Sequence, residues 1–380
     1  MRKLFYEDCH LTRFSAQVTG CEKCEKGYLI TLDATAFYPE GGGQACDMGT
    51  LGSVNVLDVR EKEERILHLC DGPLTVGETV EGEINWERRF DLMQQHTGEH
   101  ILSGLIHARF GYHNTGFHVG ADVMEVDFDG PISPDELAQL EKQANEAVWQ
   151  NAPVKCWIPS PEELAGVTYR TKRELPWPVR IVQVGDVDSC ACCGIHVAYT
   201  GEVGLIKILS CVSLRGGVRL EMVCGGRAYR YMTEIFNQNR MVSQTFSAQI
   251  LQTGEAAQKM QDALTKEKFR TTQLQKQVFS YLAAQYAGAE NVLHFESDLE
   301  PAQVRELADC ISRQISGFAA VFSETGSGFS YCLATQNGDL RTLGKEMTEA
   351  LNGRGGGKPN FQQGNINSSK ADIEGFFANR

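Results

Sequence analysis

QQHTGEHILSGLI, residues 94–106, is the stretch from which the rest of this 380-residue chain can be read. Around it Phe90, Met93, Thr97, Ile101, Leu105 and Ala108 recur at steps of three and four, the period of a helix, and Gly111 supplies a stop. On such a helix His96 and His100 project from one face, one turn apart, where two imidazoles can share a metal ion. The order His96-Thr97-Gly98-Glu99-His100 is not the zincin motif, in which the glutamate directly follows the first histidine. A lone histidine pair at this spacing also arises by chance on helix surfaces, so a second half is needed.

Cys192-Cys193-Gly194-Ile195-His196 offers that half: a thiolate and an imidazole flanking a tight glycine turn, the ligand types zinc prefers. His96, His100, Cys192 and His196 make a tetrahedral set, with Cys193 a substitute for Cys192. Two other readings stay open. Cys192 is a buried structural cysteine beside an ordinary histidine, or Cys21-x-x-Cys24 and Cys190-x-x-Cys193 form a four-cysteine site.

Upstream of the helix, residues 1–85 read as short strands between closely spaced turns, at Gly41 to Gly43, Asp71-Gly72 and Glu81-Gly82, which suggests a small β-barrel or sandwich. Downstream, Ser133 with Glu136 three residues on predicts a capped helix to about Gln150. Strand-like segments follow at 179–184 and 203–209. Residues 228–287 contain no proline and only Gly254, and they are rich in strong helix formers, which predicts a helical hairpin or arm. After Gly288 a mixed α/β pattern runs to NGRGGGKPNFQQG, residues 352–364, which reads as a glycine-rich loop. That loop is not a phosphate-binding Walker motif, because Asn352 and Pro359 replace a required glycine and the Ser or Thr. It is either a solvated loop, or Arg354 and Lys358 meet phosphates and Phe361 stacks on a base.

Composition narrows the class. With 42% hydrophobic and 22% charged residues the chain is globular. A charge of −13, from 36 basic and 49 acidic residues, argues against nucleic-acid binding through bulk charge and leaves local patches such as Lys172, Arg173, Arg354 and Lys358. The absence of an apolar run long enough to span a membrane and of a signal-like start predicts a cytoplasmic protein with no membrane partner. Thirteen cysteines, an odd number in a long chain, fit reduced thiols with a few metal ligands.

The segments QQHTGEHILSGLI, CCGIHVAYTGEVGLIKILS (192–210) and RLEMVCG (219–225) together resemble the editing domain of alanyl-tRNA synthetase and the freestanding alanyl-tRNA editing proteins of the AlaX family. FYPEGGGQACDMG (37–49) resembles that family's glycine motif, and the ending around 352–364 its DHH-associated domain. The resemblance implies an α+β chain: an N-terminal β-barrel over 1–85, a zinc-binding α/β editing domain over 86–227, a helical arm over 228–288, and a DHH-associated-like α/β domain over 289–380. It implies one zinc ion per chain. The glycine motif becomes a pocket wall rather than a plain hairpin turn. Gly42, Gly43 and Gln44, with Thr97 and Gly116, are then candidate substrate-binding residues, and Glu99, where the synthetase commonly has threonine, is the best candidate for guiding water. Arg354, Lys358 and Phe361 are candidates for binding tRNA.

Only 95 residues precede His96, too few for a class II aminoacylation core, so the resemblance implies an editor acting in trans. The implied reaction is zinc-dependent hydrolysis of tRNA(Ala) mischarged with serine or glycine. The alternatives are a non-catalytic, zinc-stabilised tRNA-binding protein and an editor of another aminoacyl-tRNA such as Ser-tRNA(Thr). A DHH-type phosphoesterase is excluded, because no Asp-His-His triplet occurs. A homodimer through the helical arm or the C-terminal domain is left open.

Overall fold

Eight strands precede the first long helix: β1 (Arg2–Lys3), β2 (Arg13–Cys24), β3 (Gly27–Leu32), β4 (Ala34–Thr35), β5 (Gly49–Leu51), β6 (Val54–Lys62), β7 (Arg65–Cys70) and β8 (Thr79–Ile84). In this computed structural model, which describes residues 1–171 and 176–378, strands β2, β3, β7, β6, β5 and β8 close on one another as a barrel. Lys172 and Arg173 lie outside the described residues. Alternation explains the barrel locally: Phe14, Ala16 and Val18 on β2, and Val80 and Ile84 on β8, point inward between exposed polar neighbours. Beside the barrel, β1 and β4 pair in parallel.

Helix α1 (Trp86–Phe110) starts where Asn85 accepts a hydrogen bond from the Arg88 backbone, and it ends at Gly111 in the left-handed conformation. It is buried along most of its length, and its start is locked to the barrel. Arg89, wholly buried, pairs with Asp47 and donates to the carbonyls of Leu11 and Ala36. The loop between β4 and β5 is thereby held at both ends.

Strands β9 (Asn114–Val119) and β10 (Met124–Phe128), helix α2 (Pro134–Trp149), strand β11 (Val154–Trp157), the short helix α3 (Pro161–Leu164), and strands β12 (Ile181–Val184), β13 (Asp188–Ala191), β14 (Ile206–Leu214) and β15 (Gly217–Cys224) follow. They form a four-stranded antiparallel sheet in the order β14-β15-β10-β9 and a three-stranded sheet β11-β12-β13. Ser133 caps α2 in a full capping box with Glu136. Gly98 of α1 lies so close to β15 that an added Cβ would come within 2.3 Å of Cys224 Sγ.

Chain contacts divide the molecule into two units, Met1–Met241 and Val242–Arg380. The proline-free stretch forms two helices, α4 (Gly225–Phe246) and α5 (Thr253–Ala284), interrupted at Ser247, which has a positive φ of 51°. Large apolar side chains stay exposed along both, Ile235 and Phe236 on α4 and Met260 and Phe269 on α5 among them. No helix among the described residues is long and apolar enough to cross a membrane.

The second unit is built on a five-stranded sheet, β16-β17-β18-β20-β19, from β16 (Val292–Ser297), β17 (Phe318–Thr325), β18 (Gly328–Thr335), β19 (Gly353–Lys358) and β20 (Phe361–Ile366). Ala319 and Val321 face a core completed by α6 (Pro301–Ser312), and Ala320 and Phe322 face another completed by α7 (Arg341–Ala350) and α8 (Lys370–Phe377). The expected glycine-rich loop is instead an antiparallel hairpin of β19 on β20. At Gly357 and Gly364 glycine serves close backbone approach: a Cβ there would stand 2.1 Å from the Phe361 carbonyl and 2.0 Å from the Arg354 carbonyl.

The Arg89–Asp47 pair has a calculable weight. Replacing Asp47 with alanine leaves a buried guanidinium without its counter-charge, which costs about 3–5 kcal/mol. Chemical denaturation followed by tryptophan fluorescence should show this loss in the transition of the first unit, whereas Glu83→Ala, which removes an exposed ion-pair partner of Arg13, should be near neutral.

Candidate metal centre

Helix α1 brings His96 and His100 to one buried face, and the turn after β13 brings Cys192 and His196 against them. One ligand atom from each of the four lies within 4.8 Å of the others. Cys192 Sγ is 3.4 Å from His96 Nε2, and the rings of His96 and His100 stand 4.5 and 4.6 Å from that of His196. Cys193 does not enter the cluster: its sulfur faces the glycine motif, 3.1 Å from where a Cβ on Gly42 would sit. No four-cysteine cluster occurs among the described residues.

Every histidine of the cluster is held by its other nitrogen. His96 Nδ1 meets Gln44 Oε1 at 2.8 Å, His100 Nδ1 meets Asp188 Oδ2 at 2.8 Å, and His196 Nδ1 meets Thr97 Oγ1 at 3.2 Å. An amide oxygen and a carboxylate only accept, so Nδ1 of His96 and of His100 carries the proton. The Thr97 hydroxyl already accepts from the Val197 amide and can accept from His196 as well. Nε2 is then the nitrogen each ring has left for a metal, and His196 Nε2 is a buried nitrogen with no partner among the described residues. Outer carboxylates and carbonyls orient metal-binding imidazoles in this way. The residues fit a metal ion.

The partners are themselves fixed. Asp188 receives Nε and a terminal nitrogen of Arg170 at 2.7 and 2.8 Å, and Gln44 Oε1 also accepts from the Ile195 amide at 3.2 Å. Around the turn, Arg180 donates to the carbonyls of Cys192 and Gly194, and Tyr6 donates to that of Cys193. The Arg180 guanidinium also lies 4.4 Å from the centre of the Tyr6 ring.

The electrostatics suit ligation. Burial raises the Cys192 thiol, but the charge of His96 and hydrogen bonds with the imidazoles outweigh it and hold the thiol well below its ordinary range. Burial foremost lowers His196 to about 3. Burial also lowers His100, yet hydrogen bonds to Asp188 and Cys192 overcome it and hold this ring well above the usual imidazole value. At neutral pH the cluster therefore presents a thiolate and a neutral His196, while His100 carries a proton that an ion must displace.

A cavity of 720 Å³ opens beside the cluster, lined by His96, His100, Cys192, Glu99, Asn114, Phe117 and Gly42, with Lys3, Arg170 and Arg180 on its walls. Glu99 is buried; one carboxylate oxygen accepts from Ser103 and Asn114, and the other lies 4.0 Å from His100 Nε2. Other residues named from sequence sit differently. Gln44 and Thr97 stand behind His96 and His196 as positioning residues, because their oxygens are taken up by the rings and nearby amides. Gly43 has φ +83° and packs against Phe117, and Gly116 has Asp127 across the strand, so neither lines the large cavity. Two histidines outside the cluster have other surroundings: His118 borders a smaller cavity with the glycine motif, and His107 is bonded to the Tyr112 carbonyl. In the second unit Arg354 is exposed on the edge strand β19, and Lys358 borders a shallow pocket. Phe361 is partly buried beneath the Arg305 guanidinium, 4.7 Å from its ring centre, and borders the same pocket as Lys358.

Sequence reading missed Asn114, Asp188, Arg170, Arg180 and Tyr6. No local pattern marks them, since they reach the site from β9, from β13, from the segment before β12 and from the N-terminal segment.

Two outcomes follow for metal binding. Gln44→Leu and Asp188→Asn should each weaken metal affinity by about 10–100-fold in chelator competition, without a comparable loss for the exposed control Glu40→Gln. Uptake near neutral pH should release protons, His100 among their sources, and affinity should fall as pH is lowered; calorimetry in two buffers of different ionisation enthalpy reads the release.

Comparison with known proteins adds the chain's kinship. The family described as Threonyl and Alanyl tRNA synthetase second additional domain matches residues 179–220, which include Cys192 and His196. The family tRNA synthetases class II (A) matches residues 4–88. The alanyl-tRNA editing protein Aarsd1 of Danio rerio is 27% identical over 98% of this chain and 96% of its own. The alanyl-tRNA editing protein AlaX-L of Pyrococcus horikoshii is 28% identical over 98% and 96%. The alanine–tRNA ligase of Ignicoccus hospitalis is 32% identical over 94% of this chain but only 40% of its own length. Among solved structures, the C-Ala domain of Aquifex aeolicus alanyl-tRNA synthetase aligns with 23% of this chain and 88% of its own, at 17% identity and a TM-score of 0.21, a likeness that carries no argument.

Proposed function

We infer that this chain, similar along nearly its whole length to alanyl-tRNA editing proteins of the AlaX type, is an aminoacyl-tRNA deacylase, and that its substrate is tRNA(Ala) mischarged with serine, with the glycyl form next to be assayed. The observation that carries the reading is the convergence of three Nδ1-anchored histidines and Cys192 on the wall of a cavity that also holds the Glu99 carboxylate. Three imidazoles and one thiolate are a donor set suited to zinc, one ion per chain.

When bound, zinc supplies a Lewis acid that polarises the ester carbonyl or activates a water. The chain's own groups do the rest. His96, His100, Cys192 and His196 would hold the ion. Glu99, with one oxygen tied to Ser103 and Asn114, turns the other toward the cluster and takes a proton from the attacking water. Hydroxide adds to the carbonyl carbon, the bond to the ribose oxygen breaks, and Glu99 returns the proton to that oxygen, leaving serine and tRNA. Gly42 lets the backbone of the glycine motif approach the terminal nucleotide, and Lys3, Arg170 and Arg180 face its phosphates. Arg354 and Lys358 are proposed as further phosphate contacts, and a homodimer through the helical arm or the second unit, in the cytoplasm, completes the reading. The barrel, editing segment, arm and C-terminal segment are proposed as its four functional parts.

The test is deacylation of Ser-, Gly- and Ala-tRNA(Ala) and Ser-tRNA(Thr) by purified protein with and without chelator. Ser-tRNA(Ala) should be hydrolysed, chelation should abolish turnover, and zinc should restore it. Glu99→Gln should lower kcat by about 10²–10⁴-fold while metal content is retained. Tight binding of tRNA without turnover would instead make the chain a metal-stabilised binding protein.

A further inference from the structure

A second group of metal-binding side chains lies outside the site already described, in the segment between β1 and β2. One ligand atom each from Asp8, Cys9 and His10 lies within 4.8 Å of the other two. The three are adjacent in sequence, so proximity alone says little, and the weight falls on how each is held. His10 Nε2 is 2.7 Å from Glu202 Oε2, a partner 192 residues away. A carboxylate only accepts, so Nε2 carries a proton and Nδ1 is the nitrogen the ring has left for a metal. Glu202 is fixed in turn: its other oxygen accepts from the Tyr199 amide, and its carbonyl accepts from Gln94 Nε2 of α1. An outer carboxylate thus orients His10 as Asp188 orients His100.

The backbone is set for chelation. The Asp8 amide bonds to the Leu4 carbonyl, the Leu11 amide to the Asp8 carbonyl, and the Leu11 carbonyl receives Arg89. Asp8 Oδ1 accepts from the His10 amide at 2.8 Å, which folds the carboxylate back over the turn. Cys9 Sγ stands 3.5 Å from His10 Nδ1. Zinc–sulfur and zinc–nitrogen bonds of about 2.3 and 2.0 Å at a tetrahedral angle set their donors about 3.5 Å apart, so an ion can replace the thiol proton with little movement. Charge agrees with geometry. Among the described residues neither Asp8 nor Glu202 has a lysine or arginine as ion-pair partner, whereas Asp47, Asp91 and Asp188 are each paired with an arginine. The group is open to solvent, with Asp8 and His10 exposed and Cys9 half-buried.

We propose that Asp8, Cys9 and His10 form a second metal site, for a divalent ion of the zinc class, in addition to the ion at His96, His100, Cys192 and His196. A thiolate, an imidazole and a carboxylate select zinc or cobalt over magnesium and calcium, which take oxygen donors. Three protein donors leave one tetrahedral position for water or for an atom brought by another molecule, so the ion here is held less tightly than by four. The place of the site links it to the first. The same segment donates Tyr6 to the Cys193 carbonyl and, through His10, grips Glu202 in the turn that follows His196. An ion at residues 8–10 locks the segment between these two anchors and steadies the ligand turn from outside. The proposal does not depend on the deacylase reading.

The test is titration of the metal-free full chain with cobalt and with zinc, in the wild type and in Cys9→Ser, His10→Gln, Glu202→Gln and Cys192→Ala, with melting temperature as the check on folding. Wild type should take two ions, and Cys9→Ser and His10→Gln one each. Cys192→Ala should keep a thiolate-to-cobalt absorption band that adding Cys9→Ser removes. Glu202→Gln should weaken the second ion by about 10–100-fold with the count unchanged. A wild type that takes one ion, lost in Cys192→Ala and kept in Cys9→Ser, overturns the proposal and leaves the main centre standing. A single ion lost in Cys9→Ser and His10→Gln but kept in Cys192→Ala supports it and removes the main centre instead. A second ion kept in full by both Cys9→Ser and His10→Gln is adventitious binding at another thiol and overturns it. Should neither variant fold, iodoacetamide labelling of Cys9 in the wild type, read by peptide mass spectrometry, decides: zinc should suppress it, and unchanged labelling overturns the proposal.

Discussion

The buried ion pair between Arg89 and Asp47 is the constraint on which the site depends. Arg89 stands seven residues before His96 on α1, two helical turns, so both side chains leave nearly the same face. The first reaches both ends of the loop between β4 and β5, at the Ala36 carbonyl and the Asp47 carboxylate. The second meets the middle of that loop at Gln44. One face of one helix thus grips one loop twice. A rotation or slide of α1 that spoiled the ring orientation of His96 would also have to pull a guanidinium off its counter-charge in a dry interior. The barrel is in this sense part of the metal centre, although it supplies none of the four converging atoms.

The same logic explains what was legible in the sequence. The two pairs, His96 with His100 and Cys192 with His196, are local, each within one turn of chain, so spacing alone displays them. The three groups that hold the rings come from across the fold: Gln44 lies 52 residues from His96, Asp188 is 88 from His100, and Thr97 is 99 from His196. Residue type marked Gln44 and Thr97 as polar and near the site, but it could not tell whether they face substrate or face the rings. Asn114 was hidden for another reason. Alternation along β9 gives no sign that a bulge turns this one amide inward. The glycine-rich ending misled in the opposite direction, because glycine is read as freedom when here it allows two backbones to touch.

Charge is distributed with the same economy. The chain carries −13 overall, yet Lys3, Arg170 and Arg180 are gathered at the cavity. Each also has a second task. Arg170 neutralises the carboxylate behind His100, Arg180 binds the carbonyls of the ligand turn, and Lys3 is paired with Glu61. Positive groups with some of their donors already engaged are held in place, and they attract an anionic strand through their field as well as through the donors that remain. That suits the deacylase proposed above, which must release its nucleic acid after each turnover.

The clamp of Arg180 and Tyr6 on the turn from Cys192 to Gly194 has one more consequence. All three carbonyls of that turn are engaged by groups that are not ligands, and the Gly194 amide points at the Cys192 sulfur. These bonds hold the turn independently of any ion, so little chain entropy would remain to be lost on binding. In small zinc domains the ion and the fold appear together, so metal loss means unfolding. Here other bonds hold the turn, so occupancy of the proposed site would follow the surrounding free-metal level rather than the history of folding.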